Sequence, residues 1–161
     1  MTQLDLTGRK ALVTGGAQGL GEGMAHALAA SGATVVIADL QDDLGAKVAE
    51  SLGDGHGFVH LDTTDDANWE SAVADAVGQL GGLDIVVNNA GVEITSLIVD
   101  LDPADVRKQL EVNLLGTALG IKHAFRAMRP GGAAGNGGAV INVASVAATI
   151  AFPGISVYSA T

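Results

Sequence analysis

Apolar residues occur along the chain in two alternating kinds of stretch. Five short runs rich in Val, Ile and Leu predict buried strands at 10–14, 34–39, 57–62, 83–88 and 139–145. Longer stretches rich in helix formers predict helices at 19–31, 42–52, 64–80 and 102–128. Strands that alternate with helices in this way favour a parallel sheet with helices on both faces. The pattern therefore predicts an α/β doubly wound fold.

The ends of the predicted helices carry typical capping residues. Thr64 is the predicted N-cap of the third helix, and Asp102 followed by Pro103 is a strong start for the fourth. Gly32 follows the first helix as a C-cap. Apolar residues of the fourth helix occupy more than one face, so we expect this helix to be buried on two sides.

Composition narrows the classes of protein. The chain has 161 residues, enough for one domain, and shows neither a repeat nor a domain boundary. Its formal net charge of −10 argues against non-specific binding to nucleic acid or to an anionic membrane. It has no cysteine, and hence no disulfide and no thiolate metal site. No apolar run approaches the roughly 20 residues of a membrane span, and residues 1–5 lack the features of a signal peptide. We therefore expect a cytoplasmic protein.

The first strand, a glycine-rich turn and the first helix together predict a nucleotide site. The turn reads TGGAQGLG at 14–21, with glycines at 15, 19 and 21. Glycine lets the backbone approach a ligand closely, and the N–H groups that open a helix attract phosphate. The second strand ends on Asp39, an acid whose distance from the turn suits a pair of ribose hydroxyls. A role for Asp39 as a helix-capping acid stays open.

Further polar residues follow the other strands, at the edge where such sheets bind ligands. They are Asp62, the run Asn88-Asn89-Ala90-Gly91, and Ser145. Asp62 suits a contact with adenine, with a cap for the next helix as the alternative. Asn113 lies in the middle of the fourth helix, and Tyr158 follows Ser145 by 13 positions. The histidines share no motif, so we expect no metal site.

Taken in order, these residues resemble the short-chain dehydrogenase/reductase family of the classical type. The turn matches T-G-x-x-x-G-x-G, and residues 88–91 match the family's N-N-A-G. Asn113 stands in V-N-L-L-G, where the family carries a catalytic Asn, and Ser145 and Tyr158 have the family's spacing. The resemblance spans the whole chain. It implies a Rossmann-like sheet in the order 3-2-1-4-5 and hydride transfer between a nicotinamide cofactor and an alcohol or ketone.

The resemblance also implies a role for each matched residue. Tyr158 would be the acid/base, Ser145 would orient the substrate oxygen, and Asn113 would hold a proton-relaying water. The residues implied in cofactor binding are Gly15, Gly19, Leu20, Gly21, Asp39, Asp62, Thr63, Asn89, Ala90, Gly91 and Tyr158. Because Asp39 would repel a 2′-phosphate and no cation in the turn offsets that repulsion, we expect NAD rather than NADP.

The end of the chain departs from the family pattern. The family's tyrosine belongs to Y-x-x-x-K, whereas this chain stops at Thr161, one residue before the Lys. We expect residues 1–161 to be the N-terminal part of a longer single-domain subunit, inactive without the Lys that helps a phenol exchange protons near neutrality. The resemblance further implies a homo-oligomer, a dimer or tetramer, in the full-length form. The fifth strand, interior in the family, would be an open edge here.

The substrate and the class of function leave alternatives. The apolar stretch 146–155 predicts a hydrophobic alcohol or ketone, and it is similar to segments of steroid-type members as well as of sugar and acyl-carrier reductases. A methyltransferase also sets a glycine turn and a strand-two acid around a nucleoside, but the N-N-A-G run and the spacing of Ser145 and Tyr158 count against it. A non-catalytic nucleotide-binding protein stays open because the Lys is absent.

Overall fold

The computed structural model describes residues 4–161 and contains one sheet of five parallel strands. Residues 1–3, part of the stretch in which we predicted no signal peptide, lie outside the described residues. The strands are β1 (Lys10–Thr14), β2 (Thr34–Asp39), β3 (Gly57–His60), β4 (Ile85–Asn88) and β5 (Ala139–Asn142). Their order is β3-β2-β1-β4-β5, which confirms the predicted Rossmann-like α/β fold.

Helices connect the strands and cover both faces of the sheet. They are α1 (Gly19–Ala30), α2 (Asp42–Leu52), α3 (Asp66–Leu80), α4 (Pro103–Gln109) and α5 (Thr117–Met128). A π-helical segment, Leu110–Gly116, joins α4 to α5, so the predicted helix 102–128 is continuous but not uniformly α-helical. Short 3₁₀ turns form at Ile98–Asp100, Val146–Ala148 and Tyr158–Ala160. Within residues 4–161 we find no helix long and apolar enough to cross a membrane.

Several predicted boundaries are wrong by one to three residues. Strands β3 and β5 end earlier than predicted because their partners end: Leu61 N donates to Asp39 O, and Val143 N donates to Asn88 O, as the last backbone bonds of the two ladders. The N-cap of α3 is Asp65 rather than Thr64, since Asp65 Oδ1 accepts from the backbone N–H groups of the first helical turn.

Two apolar clusters form the core, one on each face of the sheet. Alternate residues of a strand point to opposite faces. Thus Leu12 and Val36 pack with Trp69 under α3 and α5, whereas Val13 and Ile37 pack in the other cluster under α1 and α2. All five side chains are inaccessible to solvent. The strands β1 and β2 are therefore buried on both faces, as parallel strands usually are.

The β5 edge of the sheet is more exposed to solvent than its centre. Strand β5 is an edge, and Ile141 is 48% exposed. Our prediction that the helix over 102–128 is buried on two sides is wrong for the described chain, because Leu114 is 56% and Phe125 62% exposed. Residues 4–161 supply no element that packs on that outer face, whereas Ala124 on the opposite face lies in the core.

Candidate active site

The glycine turn between β1 and α1 is held by close backbone packing. Gly15 has φ +63°, and a Cβ there would lie 2.9 Å from Ala90 Cα. A Cβ on Gly21 would collide with the carbonyl of Gly15. Gly19, at φ +61°, has no atom within 4 Å of its Cβ position. Two of the three predicted glycines are thus required by packing, and the third faces open space beside the start of α1.

The N-terminus of α1 is available to an anion. Gln18 is its N-cap residue and makes no side-chain capping hydrogen bond. The first N–H groups of a helix have no partner within the helix, and they carry the positive end of its dipole. Leu20, at the start of α1, is 74% exposed. The start of α1 therefore presents backbone N–H groups of the kind that bind phosphate at helix N-termini.

Asp39 at the end of β2 is buried and anchored by two backbone groups. Its Oδ2 accepts from Ala17 N of the glycine turn, and its Oδ1 accepts from Gln41 N, each at 3.0 Å. Each carboxylate oxygen retains acceptor capacity for one further donor. The side chain links the turn to the end of β2, which fits the ribose interpretation. Gln41 is also the N-cap residue of α2, so Asp39 contacts that helix entry without itself being the cap.

Thr14 joins the glycine turn to the residues after β4. Its hydroxyl oxygen accepts from Asn89 N and Ala90 N, both at 3.0 Å. In return, Asn89 Nδ2 donates to the carbonyls of Thr14 and Gly15, at 2.9 and 3.2 Å. These reciprocal bonds fix the Asn89-Ala90 pair against the turn. The N-N-A-G run therefore braces the central part of the site.

The polar residues after β3 make local contacts. Asp62 Oδ1 accepts from Thr64 N and from Thr64 Oγ1, which orders the loop ahead of α3. Thr63 is buried, and its carbonyl accepts from Trp69 Nε1 at 2.9 Å. Asp62 is only partly buried. Its second carboxylate oxygen makes no hydrogen bond within the part of the chain that the structure describes.

Asn113 lies in the π-helical segment and holds the chain that follows Gly91. Its Oδ1 accepts from Val92 N at 2.8 Å, and its Nδ2 donates to Val92 O at 2.9 Å. The same Nδ2 donates to Thr161 Oγ1, which in turn donates to Tyr158 O. The side chain of Asn113 thus connects the N-N-A-G region to the turn that carries Tyr158.

Ser145 is the N-cap residue of the 3₁₀ turn Val146–Ala148, and Tyr158 begins the 3₁₀ turn Tyr158–Ala160; Cα atoms of the two turns come within 8 Å of each other. Ser145 Oγ accepts from Ala147 N at 3.1 Å and caps its turn. Both side chains are half-buried. Among residues 4–161 the phenol hydroxyl of Tyr158 has no hydrogen-bond partner. The structure therefore brings the turn that Ser145 caps close to the turn that carries Tyr158.

Sequence reasoning missed two groups of residues. Gln109 is 2% exposed and binds the backbone of Ile94, a contact that only its position one helical turn before Asn113 hinted at. The second is Asp66 in the first turn of α3, which accepts from Lys122 and His123 of α5. The Lys122 hydrogen bond, followed by that of His123, lowers the pKa of Asp66 to about 2.

The chain belongs to the short-chain dehydrogenase family. The sequence profile of that family, described as short chain dehydrogenase, matches residues 9–161. The profile thus includes every segment of the candidate site, from the glycine turn to Tyr158.

Curated relatives at about 40% identity carry dehydrogenase names. Over 159 residues the chain is 41% identical to the trans-4-hydroxycyclohexanecarboxylate dehydrogenase of Sinomonas cyclohexanicum, covering 93% of this chain and 60% of that protein. It is also 41% identical to a 3-alpha-(or 20-beta)-hydroxysteroid dehydrogenase of Mycobacterium bovis, covering 97% and 58%. Its identity to the L-2,3-butanediol dehydrogenase of Corynebacterium glutamicum is 40%, covering 94% and 59%. The chain spans about 60% of the length of these relatives.

Proposed function

We propose that the protein is an NAD-dependent oxidoreductase that interconverts a secondary alcohol and a ketone on a hydrophobic small molecule. Family membership and the dehydrogenase names of the relatives support this class of reaction. The observation that carries the proposal is the proximity of the turn that Ser145 caps to the turn that begins at Tyr158, which is bonded through Thr161 to Asn113. The spacing of Ser145 and Tyr158 counts against the alternative of a nucleoside methyltransferase.

The cofactor would be held along the carboxyl edge of β1, β2 and β4. Gly15, Gly19 and Gly21 with Leu20 form the phosphate side, and Asp39 would receive the adenosine ribose. Asp62 and Thr63 would lie beside the adenine, and the run Asn89-Ala90-Gly91 would line the route to the nicotinamide. When bound, NAD would accept or return a hydride at the substrate carbon. The protein would orient the two reactants and provide the electrostatic environment.

Tyr158 would exchange a proton with the substrate oxygen through its hydroxyl, which is free to form that bond. Ser145 would donate a hydrogen bond to the same oxygen and so fix its orientation. The amide of Asn113 is committed to Val92 and Thr161. A relay water would therefore have to bind its main-chain carbonyl, which accepts from Thr117 Oγ1 at 2.8 Å.

Cofactor choice should follow the charge of Asp39. The carboxylate can accept from ribose hydroxyls but would repel a 2′-phosphate at close range. We expect NADH to bind with a lower dissociation constant than NADPH, and the Asp39→Asn variant to narrow the difference. Fluorescence titrations of both cofactors at one salt concentration measure this. Equal constants in the wild-type protein would contradict the proposal of NAD.

The substrate side supports a hydrophobic alcohol or ketone. Val146, Ile150 and Phe152 lie in the stretch between Ser145 and Tyr158, and they are 60%, 52% and 44% exposed. Apolar side chains of this kind bind an apolar substrate through burial of its surface.

We propose that the enzyme in its full-length form is a homo-oligomer, a dimer or tetramer, and that it is located in the cytoplasm.

The central test is Tyr158→Phe in the full-length protein that contains this chain. Removal of one hydroxyl should lower turnover of alcohol substrates by at least about 100-fold, the lower range for general acid–base catalysis. NADH binding should stay within about twofold, since the aromatic ring is retained. The matched Ser156→Ala variant, which also deletes one hydroxyl near the end of the chain, should keep turnover. Retained activity in Tyr158→Phe would refute the role of Tyr158.

A further inference from the structure

Gln109 is a polar side chain buried at the last position of α4. It is 2% exposed, its Oε1 accepts from Ile94 N at 3.2 Å, and its Nε2 lies 3.4 Å from the carbonyl of Asp105. The large majority of buried side-chain amides in folded proteins have hydrogen-bond partners. Because the contact joins residues 15 positions apart, it fixes the position of the loop around Ile94 relative to helix α4.

Gln109 and Asn113 stand one helical turn apart on the same face. Asn113 holds both backbone groups of Val92, and Gln109 holds the N–H of Ile94. Two amides on one helix face therefore bind alternate residues of the segment 92–94. The helix gives this segment the backbone partners that a neighbouring strand would otherwise supply.

The same segment is tied on its other side to the loop that leads to Tyr158. Ser96 N donates to Gly154 O at 2.7 Å. Gly154 has φ +83°, and a Cβ there would lie 3.0 Å from Thr95 Cγ2. Between these elements lies a narrow cleft of only about 10 Å³, room for about one water molecule, whose lining includes Ile94, Ser96, Val106, Gln109, Gly154 and Val157.

We propose that Gln109 is a positioning residue for the substrate side of the site, a role that rests on the proposed function. Through Ile94 and Ser96 it sets the distance between helix α4 and the Gly154–Tyr158 loop. This distance determines where the stretch between Ser145 and Tyr158 lies, because Ser96 N donates to Gly154 O, and hence how firmly an alcohol or ketone is held against that stretch. Gln109 touches neither substrate nor cofactor, and it acts through the backbone of the segment 92–96.

The test is Gln109→Met in the full-length protein, a change that keeps the length of the side chain and removes both hydrogen bonds. We expect KM for the alcohol to rise about 5- to 10-fold, the range associated with one lost hydrogen bond. We expect kcat and the NADH dissociation constant to stay within about twofold, because only binding of the substrate is weakened. An unchanged KM, or equal losses in all three quantities, would overturn the proposal.

Gln109→Glu decides the case if the Met variant does not fold. A protonated carboxyl can accept from Ile94 N and donate to Asp105 O, whereas an ionised carboxylate cannot donate. The carboxylates of Asp102 and Asp105 line the same cleft and also disfavour an added negative charge. The ratio of variant to wild-type KM should therefore increase with pH. A ratio that already exceeds about fivefold at low pH, where the protonated carboxyl can keep both bonds, would contradict the positioning role.

A matched control and a second readout separate this proposal from the proposed function. Gln79 Nε2 donates to Phe58 O at 3.2 Å beside β3, so Gln79→Met removes a similar amide bond and should leave KM unchanged. Hydrogen exchange of a peptide over 92–96 needs no turnover, and it should be faster in Gln109→Met than in the wild type. Unchanged exchange refutes the positioning role, whereas an inactive wild-type enzyme refutes only the proposed function.

Discussion

Strands β2 and β5 have similar apolar sequences but different surroundings. Val35, Val36 and Ile37 of β2 are fully buried, whereas Ile141 of β5 is 48% exposed. Strand β2 lies between β1 and β3 and contacts α1, α2 and α3, while β5 pairs with β4 alone and contacts α5. An apolar run therefore predicts a strand, but the number of neighbouring elements determines its burial.

The same contrast divides the candidate site. On the proposed cofactor side, Thr14 and Asp39 are buried and accept from backbone N–H groups of other segments, and the buried Thr63 accepts through its carbonyl from the Trp69 side chain. On the proposed substrate side, Ser145 and Tyr158 are half-buried in or beside short turns that follow an edge strand. The proposed cofactor side is thus fixed by the core, and the proposed substrate side depends on loop contacts.

The largest expected difference is between two isoleucine substitutions. Ile37→Ala removes a fully buried side chain and should lower the free energy of unfolding by about 2–5 kcal/mol. Ile141→Ala, the matched change in β5, should lower it by less than about 1 kcal/mol, since half of the side chain already contacts water. Urea denaturation of this 161-residue chain measures both. Equal losses would show that β5 is as buried in solution as β2.

A smaller effect is expected where the two regions meet, at Gly120 of α5. A Cβ at this position would collide with Asn88 Oδ1, so Gly120→Ala should destabilise the fold by about 1–3 kcal/mol. Gly78 in α3 has no atom within 4 Å of its Cβ position, and Gly78→Ala should stabilise by about 0.4–1 kcal/mol. Thermal unfolding should show opposite signs, and a shared sign would contradict the close α5–β4 packing.

The smallest effect concerns the ion pairs that join α3 to α5. Because the pKa of Asp66 is lowered to about 2, its contribution to stability is fully present above the ordinary carboxyl pKa and is lost as the pH falls towards 2. Asp66→Asn should therefore destabilise the protein at pH 7 and have progressively less effect between about pH 4 and pH 2. Denaturant unfolding across this range measures the difference, and a pH-independent difference would exclude the ion pairs as its cause.

Much of the fold and part of the site could be predicted from the sequence. The resemblance predicted the strand order. Local patterns predicted the strands, the helices and the glycine turn, because such patterns depend only on neighbours along the chain. The contact between Asp66 and His123 could not be predicted, since it joins residues 57 positions apart. The exposure of Leu114 and the bond of Gln109 to Ile94 also depend on tertiary neighbours rather than on a motif.

The packing of the glycine turn has a consequence for how the protein can change during evolution. Any side chain at Gly21 would meet the Gly15 carbonyl, and one at Gly15 would meet Ala90 in a strained backbone conformation. Substitutions at these two positions are therefore not tolerated, whichever cofactor natural selection favours. Leu20 and Leu40 are 74% and 58% exposed, so their substitution disturbs little packing. Substitutions in descendants of this chain should therefore accumulate at such outward-facing positions, while Gly15 and Gly21 stay constant.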